Sequence, residues 1–262
     1  MRKKICLVLG SGGARGVAHI GVLQAFEENG IKVDSIIGCS MGSVVGACYC
    51  KGMSPIKLKE IAESIKMSDI ADFSFFPINK TSLLKSIKLS TMLKKHIGNV
   101  NFEDLKIPFS CVAIDLVSGE SVLLNKGEVE PAVRASSAIP MVFRPVEING
   151  KILIDGGTFV RLPLKEAKET NSDIIIAVDV IGDLTEYEPS KNILSQALRV
   201  IAVNDNHITM RNLKKYKPDV LIKPELEDMS QFKVEKISFA YERGYEAGLK
   251  AVKKIKRKLE KN

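Results

Sequence analysis

The chain contains no tryptophan, only three histidines and no long uninterrupted apolar run. No stretch approaches the ~20 apolar residues that cross a bilayer, so any membrane contact is expected to be peripheral. The missing tryptophan, the lack of stacking aromatics interleaved with arginine and the absence of zinc-finger spacing argue against nucleic acid as the partner of a formal net charge of +8. An anionic lipid surface is the better match for that charge. With so few histidines, Cys48-Tyr49-Cys50 has no second Cys or His pair at ligand spacing, and no carboxylate cluster reads as a calcium loop. Neither a metal nor a cofactor is expected.

The five cysteines, Cys6, Cys39, Cys48, Cys50 and Cys111, are odd in number and sit mostly in apolar stretches. That usage suits reduced thiols acting as small core residues, and so a cytoplasmic protein. The basic start, Met1-Arg2-Lys3-Lys4, resembles the opening of an export signal. The apolar run after it breaks at Gly10-Ser11-Gly12-Gly13 before any cleavage site, so no export signal is expected. If the protein meets a membrane, it does so peripherally at the inner face.

What is present fits one hydrophobic core: 45% hydrophobic and 27% charged residues over 262 positions, near the upper size for a single domain. One domain over 1–262 is the economical reading, two small ones the alternative. Ile5 to Leu9 reads as a buried parallel strand, followed by a glycine loop and a helix from Arg15 to Glu28 that Asn29-Gly30 stops. Asp34 to Gly38 repeats the strand, with a tightly packed helix from Met41. Ser54-Pro55 caps the next helix. Phe109 to Asp115 and Ser121 to Leu124 are strand-like, Val146 to Ile154 is a hairpin about Asn149-Gly150, and Ile174 to Asp179 is a further buried strand after a short helix from Pro163. Strands alternating with helices make the fold class α/β.

Two basic amphipathic segments have two readings each. Residues 67–101 carry Phe73, Phe75, Phe76 and Pro77, then Leu83, Leu84, Ile87, Leu89, Met92 and Leu93 among lysines. This stretch is either a lid or a helix whose apolar stripe packs on the sheet. A C-terminal helix over about 239–260 sets Tyr245, Leu249, Val252, Ile255 and Leu259 against Lys250, Lys253, Lys254, Lys256, Arg257 and Lys258. It either binds anionic lipid or is a solvated last helix with cations at its negative end.

The chemistry centres on Gly38-Cys39-Ser40-Met41-Gly42, a Gly-x-Ser-x-Gly pattern between a predicted strand and a predicted helix. A sharp turn there lifts the Ser40 hydroxyl above the sheet edge, although the pattern alone also fits a serine that merely starts a helix. Gly10-Ser11-Gly12-Gly13-Ala14-Arg15-Gly16 adds unobstructed backbone N–H groups that suit an oxyanion hole. Neither glycine register fits a dinucleotide fingerprint, and no Gly-Lys-Ser/Thr closes a phosphate loop.

Together with Ala135-Ser136-Ser137-Ala138-Ile139-Pro140, Phe143 and Asp155-Gly156-Gly157, these motifs resemble the patatin-like phospholipases, in particular small bacterial members related to the catalytic region of neuropathy target esterase. The resemblance covers roughly residues 5 to 180. It implies a three-layer fold with a mainly parallel central sheet flanked by helices. It also implies a dyad in which Ser40 attacks an acyl carbonyl and Asp155 accepts its proton. Gly12, Gly13 and Ala14 would then donate to the oxyanion, with Arg15 closing the loop. Ser11 departs from the family, where glycine is common. A Ser…Asp…His triad would have only His207 after the acid in chain order; the Asp-Gly-Gly context favours the dyad.

The expected function is hydrolysis of lipid esters of the phospholipase A or lysophospholipase type, acting on a lipid or ester substrate. A promiscuous carboxylesterase, an acyltransferase using the same serine and a non-catalytic lipid-binding protein are the alternatives.

Overall fold

The computed structural model describes residues 2–65, 78–182, 192–227, 229, 231 and 236–260. Its strands are β1 (Ile5–Leu9), β2 (Ser35–Cys39), β3 (Phe109–Asp115), β4 (Ser121–Leu124), β5 (Val146–Ile148), β6 (Lys151–Asp155), β7 (Ile174–Val178) and β8 (Val220–Ile222). The helices are α1 (Ala18–Glu28), α2 (Met41–Lys51), α3 (Pro55–Ser64), α4 (Ile78–Ile97), α5 (Val129–Ser136), α6 (Leu164–Lys168), α7 (Ile193–Lys215) and α8 (Ile237–Glu260). All belong to an α/β architecture around one sheet of eight strands, in which β3, β2, β1, β7 and β8 run parallel in that order.

The wholly apolar runs of β1 and β7 are explained by burial on both faces. Ile5, Leu7 and Leu9 project into the larger core with Ile174, Ile176 and Val178. Cys6, Val8, Ile175 and Ala177 project the other way, against Leu162, Leu164 and Ala167. Helices therefore cover both sheet faces. The hairpin reading about Asn149-Gly150 holds, with both residues at positive φ, 51° and 74°, as a two-residue primed turn demands.

The observed elements depart from the sequence reading at several points. The second strand begins one residue later, at Ser35; Asp34 stands just before it, its N–H on the Ile5 carbonyl at 2.9 Å and its carboxylate accepting the Ile5 N–H at 2.8 Å. The helix expected from Arg15 begins as a 3-10 turn over Gly13–Val17 and becomes α-helical only at Ala18. In α8 the buried stripe is Ala240, Gly244, Gly248, Ala251, Val252 and Ile255, while Leu249 is exposed. Side chains at Gly21 and Gly244 would overlap the carbonyls of Tyr241 and Ala18, respectively, so α1 and α8 touch backbone to backbone. A stripe read from large apolar residues misses a contact made by residues without side chains.

In α4, Leu89, Leu93 and Ile97 are buried in the core and Ile87 is exposed, which favours the packed reading for the second half of that segment. Phe73, Phe75, Phe76 and Pro77 lie outside the described residues, as do the side chains of Leu83 and Leu84. Ser54 caps α3 as read, its hydroxyl accepting the Lys57 N–H. All five cysteines are buried free thiols. Among the described residues no helix is long and apolar enough to cross a membrane.

Candidate active site

Ser40 and Asp155 lie 115 positions apart, and the edge of β3 brings them together. Strand β2 pairs with β3 in parallel, and its last residue, Cys39, stands opposite Val112. Strand β6 pairs antiparallel with the continuation of β3, and its last residue, Asp155, stands opposite Ala113. Strand β4 occupies the other edge of β3 across both stretches. Thus β2 and β6 dock on the same edge from opposite directions, and their C-terminal ends meet at adjacent residues. The Ser40 hydroxyl donates a hydrogen bond to Asp155 Oδ2 at 2.7 Å.

Ser40 occupies φ 52°, ψ −122°, a conformation costly for a residue with a Cβ. The turn is held from several sides. The Ser40 N–H donates to Ser136 Oγ at 3.1 Å, and the Ser136 hydroxyl donates to the Val112 carbonyl at 2.7 Å. Ser43 Oγ donates to the Ser40 carbonyl at 2.6 Å. Gly42 allows the start of α2 to sit directly on the carbonyls of Leu9 and Gly10, where any side chain would collide. Ser40, Ser136 and Asp155 are all buried.

Burial pushes the Asp155 carboxyl up to about 7, against the lowering effect of the hydrogen bonds from Ser40 and from Gly157 N–H, while the charge of Asp205 adds to the rise. The Gly157 amide donates to Asp155 Oδ1 at 2.6 Å, so Asp155-Gly156-Gly157 is a turn that also orients the acid. An aspartate near neutrality is a far better proton acceptor at pH 7 than one at the usual value of about 3.9.

The glycine loop crosses above β1, with the Gly10 N–H on the Val178 carbonyl at 3.1 Å and the Ser11 N–H on the Arg161 carbonyl at 2.8 Å. Among the described residues the amides of Gly12 and Gly13 carry no hydrogen-bond partner. Those of Ala14 and Arg15 are taken by the carbonyls of Gln231 and Gly12. The Arg15 guanidinium is turned to the carbonyls of Met229, Ile181 and Glu227, fastening the loop to the chain around residue 229.

The histidines stand elsewhere. His19 is fully buried, and burial pulls it down to about 4, so its neutral ring donates from Nε2 to the Gly10 carbonyl at 2.8 Å. His207 is exposed on α7 and His96 is half-buried on α4. Among the described residues none is hydrogen bonded to Ser40 or Asp155.

Sequence reasoning missed a buried ion network below the loop. Arg161, only 1% exposed, pairs with Asp179 and with Asp205, each at 3.3 Å. Asp205 also accepts the Arg161 N–H at 3.1 Å. The available signal was a charge inside an apolar stretch, as in Val160-Arg161-Leu162. The role of Ser136 was also unread, because its partner Ser40 lies 96 positions away. Ser136→Ala removes the acceptor for the Ser40 amide and is expected to lower kcat about tenfold, with KM unchanged and the fold retained; steady-state kinetics on a p-nitrophenyl ester measure it, and an unchanged kcat would remove Ser136 from the supporting frame.

Comparison with known proteins gives this geometry its relatives. The patatin-like phospholipase family model matches residues 7–168. An NTE family protein of Mycobacterium tuberculosis is 40% identical over 192 residues, covering 72% of this chain and 52% of that protein. Lysophospholipase NTE1 of Candida glabrata is 36% identical over 193 residues, covering 71% of this chain and 11% of that protein. The chain thus spans about half the length of the mycobacterial relative and a small part of the fungal one. VipD from Legionella pneumophila superimposes with a TM-score of 0.62 at 14% identity, over 97% of this chain and 67% of that one. ExoU of Pseudomonas aeruginosa, in its complex with SpcU, gives 0.54 at 14% identity, over 99% and 53%. At these identities the two structures share the fold. With the family's motifs gathered at one sheet edge and its model matched across more than half of the residues, the chain belongs to the patatin-like phospholipase family.

Proposed function

We infer that the chain is a serine acyl hydrolase that cleaves lipid carboxylic esters, of the phospholipase A or lysophospholipase type, through a Ser40–Asp155 dyad and an acyl-enzyme. The observation that carries this reading is the 2.7 Å hydrogen bond from Ser40 to a buried Asp155 on a strained turn. In the acylation step Ser40 Oγ attacks the ester carbonyl as Asp155 takes its proton. The amides of Gly12 and Gly13 hold the oxyanion, while Ala14 and Arg15 keep the loop in shape through the bonds described above. Collapse expels the alcohol with the proton from Asp155. Water then attacks acyl-Ser40, with Asp155 again as base, and releases the fatty acid.

The membrane part of this reading rests on charge. The net charge of +8 and the lysine face of α8 favour vesicles rich in anionic lipid over neutral ones. The purified chain, with EDTA present, is expected to release fatty acid from phospholipid or lysophospholipid, and several-fold faster when anionic lipid is added to the vesicles. Fatty-acid release measured on both vesicle types tests this: no release from either removes the lipid hydrolase reading, and equal rates on both remove the anionic surface.

A further inference from the structure

Arg161 follows the base closely in the chain and ties it to two other parts of the molecule. Its carbonyl accepts the Ser11 N–H at 2.8 Å, at the entrance to the glycine loop. Its N–H donates to Asp205 on α7, and its guanidinium meets the carboxylates of Asp179 and Asp205. Helix α7 in turn packs against the Gly156–Thr158 turn that Asp155 caps, so the network and the base share one buried region. Two carboxylates on one guanidinium leave one negative charge in excess. Asp179 also accepts the amides of Ile181 and Gly182, each at 3.2 Å. Asp205, besides Arg161, has among the described residues only the Thr209 hydroxyl at 3.4 Å. Burial raises Asp205 to about 6, against the pull of Arg161. It is therefore ionised by the time Asp155, which burial and then the charge of Asp205 raise to about 7, gives up its own proton.

We propose that Asp205 is a positioning residue for the base: anchored by Arg161, it holds a negative charge near Asp155 and so keeps that carboxylate a strong acceptor of the Ser40 proton. This deepens the function proposed above and rests on Asp155 being the base. A negative neighbour favours the protonated acid, so Asp155 binds a proton more tightly and, once ionised, takes one from Ser40 more readily. The Arg161 carbonyl fastens the same network to the loop that carries Gly12 and Gly13, which puts charge and oxyanion donors on one frame. The other charges in this part of the interior are the Arg15 guanidinium, on the Ile181 carbonyl at 2.7 Å, and Glu166 on α6. Cys39 beside Ser40 and His19 on α1 are held neutral by burial. Asp205 is thus the acid that the fold both buries and leaves least compensated beside the base.

The test is the pH profile of p-nitrophenyl ester hydrolysis from about pH 5 to about pH 9. Asp205→Asn removes the charge while its amide oxygen still accepts the Arg161 N–H, and Arg161 keeps Asp179 as its partner. The midpoint of the kcat/KM profile is expected to fall by about half a unit, and the plateau kcat by no more than about twofold, as suits a slightly weaker base. Asp205→Ser removes the same charge with a smaller side chain and decides the matter if the amide variant fails to fold. A midpoint equal to that of wild type overturns the proposal. So does a plateau lost with the midpoint unmoved, or a failure of both variants to fold, either of which would make Asp205 a residue of packing alone. Asp155→Asn, run in parallel, separates the two levels: if it follows the wild-type profile, the reading of Asp155 as base falls, whereas an inactive Asp155→Asn beside an unshifted Asp205→Asn strikes only the role of Asp205.

Discussion

Asp155→Asn is expected to lower kcat about a thousandfold or more and, at pH 8, to melt at a higher temperature than wild type. The amide oxygen can still accept the Gly157 N–H, and its NH2 group then faces Ser40, whose hydroxyl can turn to accept from it, so the turn keeps its shape, but the amide cannot take the serine proton. The gain in stability follows from linkage. Burial raises the folded carboxyl to about 7, above its unfolded value of about 3.9, so stability present at low pH is lost as pH rises through about 7. The amide carries no such penalty. Its advantage is full above about pH 7, on the order of 4 kcal/mol as an upper bound, and shrinks as the pH falls toward about 4. Thermal melts at pH 5 and pH 8 beside ester turnover measure both halves. A variant that turns over like wild type rules out the acid as base; one that is inactive and less stable at pH 8 shows the residue to be structural. The same ionisation predicts that wild-type kcat/KM rises with pH through about 7, since the base acts ionised.

Ser40→Ala is expected to abolish ester hydrolysis, with kcat falling by at least about ten-thousandfold and no acyl adduct detectable on the protein. The hydroxyl is the only group at the turn positioned both to attack and to give its proton to Asp155 in one step. Alanine keeps the Cβ, and with it the strained φ of 52°, so the turn should be neither relieved nor broken and melting should change little. Intact-protein mass spectrometry after mixing with an activated ester measures the adduct. An adduct on the alanine variant equal to that on wild type would move the nucleophile elsewhere.

Much of this is legible in the sequence alone. The β1 run, the Gly-x-Ser-x-Gly turn and the Asn149-Gly150 hairpin are local signals, each fixed by residues a few positions apart. The pairing of Ser40 with Asp155 entered only through the resemblance to a family, because it depends on two strands meeting on one edge of β3, and no short-range pattern encodes that. The same limit hid Ser136 and the Arg161–Asp179–Asp205 network. On α8 the sequence places Val252 and Ile255 on the buried face, where they are, but it hides the glycine contact for a different reason. Hydrophobic periodicity weights large side chains, whereas the contact with α1 is built from Gly21 and Gly244, whose value lies in lacking one. The glycine loop was read as a row of donors, yet two of its amides are spent on Gln231 and Gly12, an occupation set by chain more than 200 residues away in one case.

The central claim is that Asp155 activates Ser40 for covalent attack. A fluorophosphonate, which bonds irreversibly to an activated serine, tests it by peptide mass spectrometry on wild type and on Asp155→Asn. The account predicts phosphonylation of Ser40 in wild type, faster as the pH rises through about 7, and little or none in the variant over the same time. Labelling at another residue, or at Ser40 with an undiminished rate in Asp155→Asn, would contradict it.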